Sequence, residues 1–163
     1  EDAADLATRV DRDDLDVHPG DVLVLRNIGP KGAPGMPEAG AFPIPKKLLK
    51  MGVKDAVRIS DGRMSGTAFG TVVLHVTPEA SVGGPLLLVQ TGDRIRLSVS
   101  KRVLALLVSD EELARRAASI SVSEPSAPRG YRQLFLKTVT QADQGVDFDF
   151  LSEPQRSGVV PRL

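Results

Sequence analysis

The chain has 163 residues, no cysteine, and 21 basic side chains balanced by 21 acidic ones. That length suits one domain, by the rule of roughly 100–200 residues per domain. The balanced charge argues against nucleic acid or an anionic membrane as a partner. The absence of cysteine excludes a disulfide framework, a thiolate nucleophile and a thiolate-held zinc or iron–sulfur centre within this chain.

Apolar runs stop far short of the ~20 residues a spanning helix needs, so a soluble protein of a reducing, cytoplasmic compartment is expected. The start at Glu1, with no charged and apolar leader, points to an excised or processed piece without a signal peptide. Residues 1–16 are mostly charged, with Leu6, Val10 and Leu15 as their large apolar side chains, and read as a lead-in from something upstream. The turn signal His18-Pro19-Gly20-Asp21 precedes an apolar strand over residues 22–25. Residues 29–45 hold five of the twelve prolines and four of the fifteen glycines, a density that no helix or central strand survives. An ordered loop stiffened by proline is expected there. It does not match the phosphate-binding G-x-x-x-x-G-K-[ST] pattern.

A short helix over residues 45–51, ended by Gly52, leads to a buried strand at 56–59. The stretch SDGRMSGTAFG (residues 60–70) then gives up core-forming residues for hydroxyls, one carboxylate, one guanidinium and glycines. This is the composition of a loop whose backbone approaches something closely. Strands follow at 71–76 and 86–89, with a helical turn from Thr77 between them. The alternation of residues 94–99 and the apolar run 103–108 form a hairpin. Ser109 with Glu112 is a capping box for a helix to about Ala118. Residues 119–129 read as a connector, 131–142 as a last helix with Tyr131, Leu134 and Phe135 on one stripe, and the end of the chain as a tail. Strands outnumber the helices available for parallel crossovers, which favours α+β with a twisted or closed sheet over a doubly wound parallel one.

Serine-hydrolase chemistry is set aside, because residues 62–66 are not the G-x-S-x-G elbow and the chain offers only His18 and His75 as bases. His18 lies in a turn and His75 inside a strand candidate, as a structural histidine. Arg63 either neutralises a bound carboxylate or pairs with Asp61 in a buried ion pair. Glu38 is the only carboxylate of the proline-rich loop; it is either a ligand for a hard cation or a surface group ahead of the short helix.

The two loops, GPKGAPGMPEAG (29–40) and SDGRMSGTAFG (60–70), resemble the C-terminal domain of the dihydroxy-acid and sugar-acid dehydratases. The resemblance continues in order through HVTPEASVGGPLLLVQTGDRI (75–95) and LLVSDEEL (106–113), and RGYRQLFLKTVTQADQGVDFDFL (129–151) is most similar to the pentonate-type enzymes. It implies a mixed, β-barrel-like sheet flanked by helices, similar to the swivelling domain of aconitase-like proteins, with residues 1–16 as linker, 17–151 as the domain and 152–163 as tail.

It also implies dehydration of a 2,3-dihydroxy acid to a 2-keto acid with a two-iron iron–sulfur cluster and Mg2+. Ser65 maps onto the base at C2, Thr67 onto a supporting hydroxyl and Glu38 onto a magnesium ligand. The cluster's cysteines would lie in a larger N-terminal domain of the same enzyme, an oligomer when complete, so this chain would be inactive alone. A branched-chain dihydroxy acid as substrate, or a non-catalytic binding module reusing the fold, are the other readings.

Overall fold

The computed structural model describes residues 2–37, 42–66, 68–123 and 125–151. The charged lead-in begins as a helix, α1 (Ala3–Arg9), whose N-cap Asp2 accepts a hydrogen bond from the Asp5 amide. Leu6 turns inward onto the cluster of Leu25, Ile28 and Phe42. The acidic residues that follow face the lysines of α2 (Lys46–Lys50), with Lys46 2.7 Å from Asp11 and Lys50 3.1 Å from Asp13. Exposed pairs of this kind are screened by water and add little. The holding force is the packing of Val17 on Leu48 and Ala56 beneath them.

Three short strands, β1 (Leu23–Leu25), β2 (Arg58–Ser60) and β3 (Val72–Val73), form one sheet in that order. Both pairings are parallel, with Leu25 opposite Ser60 and Arg58 opposite Val72. β2 is central and buried throughout, and Ile59, 1% exposed, joins Ala80 and Leu86 in the main core. Sequence reasoning disfavoured a parallel arrangement because it counted helices. The chain makes the β2-to-β3 crossover with an irregular loop over residues 61–71 instead. β3 is also shorter than the expected strand: His75 takes a left-handed φ of 55° and is exposed, not inside a strand.

The apolar run expected as a strand at 86–89 is a 3-10 helix, Pro85–Leu88. Proline at its first position has a helical φ already set and lacks only an N–H the helix would leave unused. The carbonyls this short helix exposes are taken by Arg26, whose Nη1 donates to Leu87 at 2.7 Å and, less closely, to Leu86 and Val89. The hairpin is as expected, β4 (Ile95–Ser98) antiparallel to β5 (Val103–Leu106). Among the described residues the sheets are two, one of three strands and one of two, with no closed barrel, so of the barrel-like mixed sheet that the resemblance implies only the mixed sheet and helices are seen. The result is a small mixed domain with a parallel sheet, an antiparallel hairpin and helices around them.

α3 (Asp110–Ser119) starts at the Ser109 cap, as the sequence predicts. Its Arg116, 7% exposed, binds Asp93 through two bonds of 2.6 and 3.0 Å, Glu112 through Nε at 2.8 Å, and the Leu88 carbonyl at 2.9 Å. One guanidinium thus joins α3, the hairpin entry and the 3-10 helix. α4 (Gly130–Thr138) stops short of the expected Ala142. β-Branched Thr138, Val139 and Thr140 favour extended backbone there, and Val139 bridges antiparallel to Phe148.

Two outcomes are expected. Ile59→Ala, which empties the centre of the core, lowers the unfolding free energy by about 2–5 kcal/mol in urea titration, and Leu104→Ala on the exposed hairpin face changes it far less. The Arg116 guanidinium holds the Asp93 carboxyl below its usual range, and Arg115, with Arg116, holds Glu112 at about 2. Both folded-state values are depressed, so their stabilisation is present above the unfolded values and is lost as pH falls through the folded ones. Urea unfolding of wild type and Arg116→Gln as the pH is lowered from about 6 toward 2 then shows a shallower acid dependence in the variant; equal dependences would remove this network from acid stability.

Candidate functional site

Parallel pairing sends the chain out of β1, β2 and β3 at one edge of the sheet, the edge where open α/β sheets place their ligands. The proline-rich loop leaves β1, the SDGRMSG loop leaves β2, and the segment reaching Glu79 leaves β3. The two loops singled out in the sequence therefore emerge side by side, with Leu25 and Ser60 in register.

Two buried carboxylates hold the three exits together. Asp61, with no exposed surface, accepts from the Asn27 and Ile28 amides at 3.1 Å each and from the Ala80 amide at 2.9 Å. Glu79, equally buried, accepts from the Lys31 amide at 2.9 Å, the Gly32 amide at 2.8 Å, the Ser81 hydroxyl at 2.8 Å and the Gln141 side-chain amide at 2.8 Å. Gln141 completes a reciprocal pair by accepting from the Glu79 amide at 2.9 Å. Burial pushes the Asp61 carboxyl above its usual range; the three N–H donors pull against that, and the charge of Glu79 reinforces it. Gly29 allows this approach, since a Cβ there would stand 2.5 Å from Oε2 of Glu79.

Asp61 does not pair with Arg63. The Arg63 Nε instead donates to the Met36 carbonyl at 2.7 Å, tying the second loop across to the first, and Met64 packs on the Leu25, Ile28 and Phe42 cluster. Ser65 follows, half-buried, in a turn closed by the Ala68 amide donating to its carbonyl at 2.9 Å. Farther along, buried Arg58 donates to the carbonyls of Phe42, at 2.9 Å, and Phe69, holding the far ends of both loops. The glycines of this loop have unlike surroundings. A Cβ at Gly62 would collide with Ile28 of the first loop, whereas nothing lies within 4 Å of one at Gly66. Glu38 and Thr67 lie outside the described residues.

The structure thus brings Ser65 and the Met36 end of the proline-rich loop to one edge. Sequence reasoning missed Glu79, and of the two uses it offered for Arg63 the ion pair with Asp61 is not formed. A signal for Glu79 was present: it is the sole carboxylate in residues 72–92, and a lone charge in such a run is buried only with a dedicated donor set.

A family model described as "Dihydroxy-acid/6-phosphogluconate dehydratase C-terminal" matches residues 1–146. The chain belongs to this family. Among its relatives, a 6-deoxy-6-sulfo-D-gluconate dehydratase of Pseudomonas putida is 55% identical over 146 residues, covering 90% of this chain and 25% of the relative. An L-arabinonate dehydratase of Rhizobium leguminosarum bv. trifolii is 51% identical over 151 residues, 93% of this chain and 26% of the relative. A dihydroxy-acid dehydratase of Thermus thermophilus is 42% identical over 131 residues, 80% of this chain and 23% of the relative. The chain spans about a quarter of the length of these curated relatives.

The donor chemistry of this chain can be weighed against the two cofactors that the resemblance implies. With no cysteine in the sequence it offers no thiolate to an iron–sulfur cluster. Among the described residues no three potential ligands cluster for a metal. The oxygens of Asp61 and Glu79 are committed to N–H and O–H donors inside the protein, so these two carboxylates do not fit a magnesium site. They are anchors, and their removal has a defined cost. Asp61→Asn keeps the shape but places an N–H2 against backbone donors, which is expected to lower stability by about 2 kcal/mol or more, read by urea unfolding. An unchanged midpoint would show that the loops hold without the clamp.

Proposed function

We propose that this chain is the C-terminal part of a hydro-lyase that acts on a sugar acid, and that it supplies Ser65 as the base. The observation that carries the reading is the tie between the two family loops at the carboxyl edge of the parallel sheet, where Arg63 reaches Met36 and the next turn presents Ser65. Two relatives named for sugar acids match at 55% and 51% identity, against 42% for the dihydroxy-acid dehydratase, which favours a sugar acid over a branched-chain acid.

In this reading Ser65 removes the proton from C2 of a 2,3-dihydroxy acid. The electron pair of that C–H bond forms the C2–C3 double bond as the C3 hydroxyl leaves, and the enol tautomerises to the 2-keto acid. A serine hydroxyl is a poor base near neutral pH, so the site must favour its alkoxide. Arg63, two residues before it, contributes positive charge to that environment. Thr67 is assigned a supporting hydroxyl and Glu38 a place as ligand to Mg2+. The iron–sulfur cluster belongs to the remaining three quarters of the enzyme, since this chain has no thiolate to offer.

The test uses the full-length enzyme on a panel of arabinonate, 6-phosphogluconate, 6-deoxy-6-sulfogluconate and 2,3-dihydroxyisovalerate, scored by 2-keto acid formation. One of the sugar acids is expected to give the highest kcat/KM. Ser65→Ala is expected to lower kcat by about 10²–10⁴-fold, the range of a lost general base, with iron content and thermal midpoint unchanged. Preference for the branched-chain acid would overturn the substrate class, and full turnover in Ser65→Ala would overturn the role of the serine.

A further inference from the structure

Between the proline-rich loop and α4 lies a groove of about 480 Å³, walled by Ala33, Pro34 and Pro37 on the loop and by Tyr131, Arg132 and Phe135 on the helix. Its floor continues into an aromatic shelf. Phe148 meets Phe135 edge-on with ring centroids 5.9 Å apart, stands edge-on to Tyr131 at 6.4 Å, and stacks on Phe150 at 5.5 Å. The whole sequence has only six aromatic residues, five Phe and one Tyr, and four of them are gathered here. They are not spent on the core: Tyr131 is 71% exposed and Phe150 59%, with Leu134 and Leu151 also open. A contiguous apolar surface rimmed by a cation is the character of an interaction face.

Two observations say what covers it. The curated relatives are about four times as long as this stretch, and the matching family model is a C-terminal one that begins at residue 1, so in them a long polypeptide precedes it. Leu6 of α1 packs in the same cluster as Ala33 and Met64, so the beginning of this chain lies against the proline-rich loop, and a preceding segment would be delivered beside the groove.

We propose that the groove and its aromatic shelf seat the polypeptide that precedes Glu1 in the full-length dehydratase. The seated segment is apolar where it meets Pro34, Tyr131 and Phe135, and carries a carboxylate opposite Arg132. The inference rests on the proposed function in taking this chain as the C-terminal part of a longer enzyme.

The test places the photo-cross-linker benzoylphenylalanine at position 131, and separately at 150, in the full-length protein. Both side chains are exposed, so the replacements leave the fold intact. After irradiation of a mixture of isotopically light and heavy protein, peptide mass spectrometry is expected to find links from both positions to residues upstream of Glu1, light to light or heavy to heavy. Mixed light–heavy links would assign the face to a second copy, and links confined to residues 1–163, or none, would leave it solvent-facing; each result overturns the proposal. The links are read whether or not the protein turns over any acid, so a failed dehydratase assay and a failed docking surface are told apart.

Discussion

A carboxylate buried without a cation is costly unless its oxygens are filled with donors, and among the described residues two such groups stand where the loops begin. Asp61 and Glu79 gather backbone amides from the exits of β1 and β3 together with the side-chain amide of Gln141. Loop amides have no ladder to enter, and buried ones need partners. The carboxylates satisfy them and in doing so fix three loops relative to one another. The sheet is too small to do this alone, since its strands have two or three residues each.

This clamp explains why the glycines of the two loops sit where they do. Gly29 lets the first loop close on Glu79, and Gly62 lets the second pass under Ile28. Their small size serves contact between loops, so the geometry at the sheet edge is set before any ligand arrives. The guanidinium of Arg58, bonded to both Phe42 and Phe69 carbonyls, does the same at the far ends of the loops.

Much of this was legible in the sequence. The alternation of residues 94–99 and the Ser109–Glu112 box gave the hairpin and α3 because both signals are local. The loop signal at residues 60–70 was legible for the same reason: a hydroxyl- and glycine-rich break between apolar runs has no other common use. What was not legible depends on distant partners. The run at 86–89 became a 3-10 helix because Arg26, some sixty residues earlier, supplies donors to its carbonyls. Asp61 pairs with amides and not with Arg63, because the parallel register places it between the exits of β1 and β3, and neighbours in sequence do not report that. The parallel sheet itself was hidden by a crossover that uses no helix.

That crossover has two unlike halves. From Asp61 to Met64 every residue is bound into its surroundings, by amides, by the Met36 carbonyl or by the apolar cluster under the first loop. Just beyond Ser65 the crowding eases, with nothing within 4 Å of a Cβ at Gly66 and the Phe69 side chain 74% exposed, before Arg58 takes the Phe69 carbonyl and Asp55 binds Thr71. The serine therefore sits at the end of the anchored half, beside an exposed Gly66. Substitution of the exposed side chains in the outer half can reshape the surface at the edge of the sheet while the anchored half keeps Ser65 in place, so that surface can change without the scaffold being rebuilt.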